Sequence, residues 1–346
     1  GRSSAKKFGF LQIVKEELEK NGIEPVFFEE VEPNPSMDTV SKGAHLFKEK
    51  KCEFIVTMGG GSPLDAAKAI GILATNPAPL SSYVGKGKVK TPPPPLIAIP
   101  TTSGTGSEVT PYAVITDTRD DVKNQKKVIS DHHIFPKEAI LDPELTLPMP
   151  EELTCDTAVD VLSHAVESYI SKRAFPLTEN ICLQAIALIG ENLPRVLENP
   201  GDIEARENLM YSATLAGIAI AQTGATILHS MGYPLTSSFG ISHGKANGIL
   251  LPWFWEISFE GNPGKFSTIL KTLLKKVDQR KAEDAKESAR LIKKFLHDSK
   301  IPEKIEIKVN DATLRDFASF IAENKEKNAA GPKFLQFEEI LNIYRK

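Results

Sequence analysis

A chain of 346 residues is long enough for about two domains. With 41% hydrophobic and 25% charged residues and a mean hydropathy of −0.19, its composition is ordinary for a soluble globular protein. A net charge of −3 with interspersed signs offers no basic stripe, which argues against nucleic acid as a partner, and no apolar run approaches the roughly eighteen residues of a membrane span.

No signal peptide is expected from the opening residues, and helical periodicity begins almost at once. Phe8, Leu11, Val14 and Leu18 predict a helix over 4–20, with Gly22 as its stop. An α/β domain is expected to place a strand ahead of that helix, and the sequence lacks one. A short apolar strand is expected at Pro25 to Phe28, a helix at Met37 to Lys48, and a strand at Phe54 to Met58. A helix from Pro63 to Ala74 follows, then a strand at Leu96 to Ile99 behind the stiff spacer Pro92 to Pro95. Tyr112 to Thr116 and Glu138 to Leu141 complete the predicted strands. Short, continuously apolar strands separated by helices predict a parallel sheet covered on both faces.

After Asp142-Pro143 the strand patterns vanish and helical patterns run to the C-terminus, jointed by Pro and Gly. The predicted architecture is an α/β, dinucleotide-binding domain over 1–148, followed by an all-α helical bundle over 149–346. The charge-rich stretch from Lys265 to Lys300 reads as a solvated helix face. The three cysteines, Cys52, Cys155 and Cys182, form no C-x-x-C pair. They read as small buried hydrophobes in a reducing, cytoplasmic setting. His45, His132, His133 and His297 sit among charges or in a loop and are expected to be exposed.

Two loops invite an anion. Gly59-Gly60-Gly61-Ser62-Pro63 joins a buried strand to a helix, where backbone amides and the helix dipole favour negative charge. It is neither a Walker A loop nor G-x-G-x-x-G, and spacing alone leaves a tight turn with no ligand equally open. Pro100 to Glu108 also follows a buried strand and is rich in Thr, Ser and Gly. Two such loops at the carboxyl ends of parallel strands define a crevice where nucleotides bind.

Asp160 and His164 lie four apart in a helical segment and so project from one face. A carboxylate and an imidazole stacked this way suit Fe²⁺ or Zn²⁺. His229 and His243 follow in a Gly-rich, apolar stretch. A lone histidine there is more often a hydrogen-bonded core residue, but two of them beside the Asp160/His164 pair favour one metal site.

Over nearly its whole length the chain resembles the iron-containing, group III alcohol dehydrogenases. Gly59-Gly60-Gly61-Ser62-Pro63 with Asp65 and Lys68 is similar to the family's pyrophosphate loop, and Pro100 to Glu108 to its loop near the nicotinamide. The resemblance implies cofactor contacts at Gly59, Gly60, Gly61, Ser62, Asp65, Thr101, Thr102, Thr105, Ser107 and Lys126. It implies iron as the metal, with Asp160, His164, His229 and His243 as ligands, and a homo-oligomer, with a dimer as the expected form. The implied activity interconverts a primary alcohol or diol with its aldehyde. Many members carry a second histidine where this chain has Tyr233, so Tyr233, water or the cofactor ribose must serve any proton relay. NAD-preferring members tend to place an Asp at the Gly1 position; Gly1 removes its repulsion of a 2′-phosphate, and Arg2, Ser3 and Ser4 could contact one. NADP(H) is therefore favoured over NAD(H). A dehydroquinate-synthase-like lyase and a degenerate, non-catalytic nucleotide- and metal-binding protein are the alternatives.

Overall fold

The computed structural model describes residues 4–119 and 125–346, and the chain divides into two compact units, Gly1–Pro148 and Met149–Lys346. The first is α/β. Helices α1 (Ser4–Lys7) and α2 (Phe10–Lys20) are separated at Gly9, whose φ of 77° interrupts the single helix predicted over 4–20. Helix α3 (Met37–Glu49) is capped by Ser36, whose hydroxyl accepts from the Thr39 amide. Strand β1 (Ile55–Gly59) leads into α4 (Gly61–Thr75), which starts two residues earlier than predicted. Strands β2 (Gly85–Lys86), β3 (Leu96–Pro100), β4 (Tyr112–Asp117), β5 (Gln125–Ser130) and β6 (Glu138–Ala139) follow.

These strands form two three-stranded sheets. The first, ordered β1-β3-β6, is parallel throughout, with Ile55 opposite Leu96 and Gly59 opposite Pro100. The second, ordered β2-β5-β4, is mixed, because β4 and β5 run antiparallel. Sequence periodicity overlooks β2 and β5, and it misplaces one strand. Pro25 to Phe28 is not a strand; Val26 and Phe27 are exposed and gain nothing from a sheet. The predicted strand at Glu138 to Leu141 ends at Ala139, and Ile140 and Leu141 are exposed.

The second unit is helical, with no strand among the described residues. At its heart is α5 (Glu151–Ile170), a helix without Gly or Pro that follows Pro150 and carries Glu151 and Glu152 at its positive end. From Thr154 to Ile170 every residue but Thr157 is buried, so α5 is enclosed all round by the bundle. Around it stand α6 (Pro176–Glu198), α7 (Ile203–Thr223), α8 (Ile227–Phe239) and α9 (His243–Ser258). The outer helices are α10 (Pro263–Leu274), α11 (Gln279–Glu283), α12 (Ala285–Asp298), α13 (Asp311–Ala322), α14 (Lys325–Ala330) and α15 (Phe337–Tyr344). Among the described residues no single helix is long and apolar enough to cross a membrane; α7 and α8 are so only when taken together, and they are bent by 112° at their junction.

Helix α9 lies against α5 with no room for side chains at the contact. A Cβ on Gly244 would collide with the Asp156 carbonyl and lie 3.0 Å from the Asp160 Cβ, and one on Gly248 would lie 2.7 Å from Val159. The cysteines are free; Cys155 and Cys182 are buried and Cys52 half-buried. Of the histidines expected at the surface, His133 is the exception. It is half-buried, with Nδ1 2.9 Å from Asp131 Oδ1. Asp131 also accepts from the Val89 and His133 amides, so its carboxylate joins loops together.

Candidate metal centre

The enclosed face of α5 carries Asp156, Asp160, His164 and Glu167, all buried. Ionisable groups buried at such spacing are costly unless they pair or hold a cation. Each finds a partner from α8 or α9. His229, in the first turn of α8, sets its Nε2 3.8 Å from Asp160 Oδ1. His243 is the first residue of α9, and its ring centroid lies 5.2 Å from that of His229. One ligand atom each from Asp160, His229 and His243 falls within 4.8 Å of the others, a cluster that could hold one metal ion. His164 stands beside this trio, its ring stacked on His229 at 4.4 Å between centroids. The structure thus brings three of the four predicted ligands together and sets the fourth against them.

The donor set fits a divalent ion. His229 Nε2 and His164 Nδ1 are buried without a hydrogen-bond partner, and a bound cation would supply one. Burial pushes His164 down to about 4, whereas at His229 burial is outweighed by Glu167 and Asp160, which raise it above the ordinary value. Burial alone would raise the Asp160 pKa, but His164, His243 and His229 together hold it below the usual carboxylate range. Asn247, fully buried one turn into α9, donates to Asp160 Oδ1 at 3.1 Å and sits 3.3 Å from His243 Nε2.

Two hydroxyls steady the incoming helices. Ser242, the residue before α9, donates to Asp156, and Thr226, before α8, donates to Glu167. On the outer side Tyr233 stacks on His243, with 5.0 Å between centroids and 11° between planes. The Lys327 ammonium lies 5.6 Å from the Tyr233 ring centroid. His243 and Tyr233 are half-buried, whereas Asp160, His164 and His229 are buried.

Comparison with known proteins settles the family. The model for iron-containing alcohol dehydrogenase matches residues 1–143, and that for the Fe-containing alcohol dehydrogenase family, C-terminal, matches 154–346. The chain belongs to the iron-containing alcohol dehydrogenase family. It is 38% identical to the 1,3-propanediol dehydrogenase of Citrobacter freundii over 332 residues, 95% of this chain and 84% of that one. It is 37% identical to the NAD-dependent methanol dehydrogenase of Bacillus methanolicus, over 77% of this chain and 69% of that one. A crystal structure of a 1,3-propanediol oxidoreductase superposes with a TM-score of 0.90 at 34% identity, covering 97% of this chain and 87% of that one. The chain is accordingly an oxidoreductase of alcohols, with the fold of this family.

The two loops singled out in the sequence both lie in the first unit, and they touch. Gly59 has φ 149°, and a Cβ there would lie 2.7 Å from Pro63, so the turn into α4 requires glycine. Thr102 packs over Gly60, and Thr105 packs over Gly61. Other predicted cofactor contacts are engaged within the protein. Asp65 accepts from Ser107 Oγ at 2.6 Å and from the Val114 amide at 2.9 Å. The buried Lys68 ammonium donates to Ser107 Oγ and to the Thr110 and Tyr112 carbonyls, riveting the two loops together. Burial pushes Lys68 down to about 8. Ser62 Oγ accepts from the Asn34 amide, Thr101 is buried, and Lys126 lies on β5 opposite Thr116. Gly1, Arg2 and Ser3 lie outside the described residues, and Ser4 opens α1.

Sequence reasoning gave Glu167 and Asn247 no role. A usable signal was present for Glu167, which follows His164 by three residues and so shares its helix face.

Proposed function

We propose that this enzyme interconverts a primary alcohol or diol and its aldehyde with NADP(H), using a divalent ion, iron in the first place, held by Asp160, His164, His229 and His243. The convergence of a carboxylate and imidazoles with buried, unpartnered nitrogens carries this reading. When bound, the ion polarises the substrate oxygen and eases loss of the alcohol proton, while the nicotinamide exchanges hydride. The protein's share is positional. Asp160 supplies the one anionic donor, Asn247 fixes its Oδ1, and the α5–α9 contact at Gly244 sets its spacing from His243. Tyr233 (stacked on His243), water or the cofactor ribose would take up or return the substrate proton. Thr102, Thr105 and the backbone around Gly60 and Gly61 cradle the cofactor phosphates. The preference for NADP(H) rests on Gly1, where an acidic side chain would repel a 2′-phosphate. One relative at 37% identity is an NAD-dependent methanol dehydrogenase and another at 38% is an NADPH-dependent butanol dehydrogenase, so the choice varies within the family. The three free cysteines agree with a reducing, cytoplasmic setting.

The test is anaerobic NADPH oxidation with a panel of short aldehydes, run on metal-stripped protein before and after Fe²⁺ reloading, with NADH in parallel. Turnover that appears only after reloading, and faster with NADPH, is the expected result. Equal or better rates with NADH would overturn the cofactor assignment alone. Metal and cofactor binding with no turnover on any aldehyde would favour a degenerate enzyme.

A further inference from the structure

We infer that Glu167 is a positioning residue for the metal centre: it holds the proton of His229 on Nδ1 and so aims the Nε2 lone pair at Asp160 and His243. The inference rests on the metal reading above. Glu167 is fully buried on α5, three residues beyond His164. Its carboxylate accepts from His229 Nδ1, from the Thr226 hydroxyl and, at 3.4 Å, from the His229 amide.

The local geometry shows what the carboxylate is for. Thr226 is the N-cap residue of α8, yet its side chain caps nothing in that helix. Its hydroxyl turns to Glu167 instead, and the carboxylate takes the amide of His229, the third helical residue, where a capping oxygen would sit. Glu167 therefore fixes His229 twice, by its backbone and by its ring. With one ring nitrogen given to a carboxylate, the other is left buried without a hydrogen-bond partner and faces Asp160. A carboxylate behind a ligating imidazole fixes tautomer and orientation and makes the imidazole a better donor. A carboxylate that merely capped α8 would need only the amide.

The experiment measures the affinity of the stripped 346-residue chain for Zn²⁺ and Fe²⁺ by chelator competition, for the unaltered protein, Glu167→Gln and His229→Ala. In Glu167→Gln affinity is expected to fall about 10- to 100-fold, the usual effect of losing such a partner. Affinity within about twofold of the unaltered protein, while His229→Ala loses metal, would overturn the positioning role and leave the metal centre standing. Undiminished metal binding by His229→Ala would sink the metal reading itself, and this inference with it. A measurement on the unaltered protein guards against a misfolded variant. With ¹⁵N-labelled histidine and Zn²⁺ loaded, the His229 signal, assigned by its absence from His229→Ala, is expected to show the proton on Nδ1. A proton on Nε2 would overturn the inference.

Discussion

Replacing His243 with alanine is expected to strip the enzyme of metal and to lower turnover by about a thousandfold, while the chain stays folded. His243 is half-buried at the first position of α9, so its loss leaves an opening towards solvent and no sealed cavity in the core. Lewis-acid stabilisation of a reacting oxygen is worth several kcal/mol, and each ~1.4 kcal/mol is tenfold in rate. Removing one donor from the trio leaves Asp160 and His229, with His164 behind, a weaker and more open site. Metal analysis, initial rates and a thermal melt on the same preparation separate the effects. Full metal content and activity in His243→Ala would remove this residue from the ligand set.

The second large effect is expected from a single added methyl group. Gly244→Ala places a Cβ against the backbone carbonyl of Asp156 and 3.0 Å from the Cβ of Asp160. Neither neighbour is the free end of a flexible side chain, so α9 must move away from α5. Overpacking of this kind typically costs about 1–3 kcal/mol, and more where backbone meets backbone. The same displacement carries His243, the preceding residue, away from Asp160, and it pulls Ser242 from its bond to Asp156. Stability and metal affinity should therefore fall together, read as a lower urea midpoint and weaker Zn²⁺ retention. A variant with unchanged midpoint and unchanged metal affinity would show that the close approach is not what spaces the ligands.

What was legible in the sequence follows from how local each feature is. Strands β1 and β3 are five-residue runs of mostly apolar side chains, and burial of such runs needs no knowledge of partners. Strand β5 begins Gln125-Lys126-Lys127 and is half-exposed, so its place depends on antiparallel pairing with β4, which no short window reveals. Pro25 to Phe28 shows the converse, an apolar run that pairs with no strand among the described residues. The Asp160–His164 pair is legible because four residues make one helical turn. Glu167 shares that face, but the partners that define its task, Thr226 and His229, lie 59 and 62 residues away. The Gly59 turn was readable as glycine chemistry. That Lys68 and Asp65 tie the two loops together through Ser107 was not, because those bonds span 39 and 42 residues.

The centre itself can be tested by diffraction. Crystals of the stripped protein soaked anaerobically in Fe²⁺ and recorded on either side of the iron absorption edge should give one dominant anomalous peak. Its expected place is among Asp160 Oδ1, His229 Nε2 and the His243 ring, with His164 turned in to complete the set. A metal-loaded, active crystal whose anomalous peak lies elsewhere, with these side chains unchanged, would contradict the account.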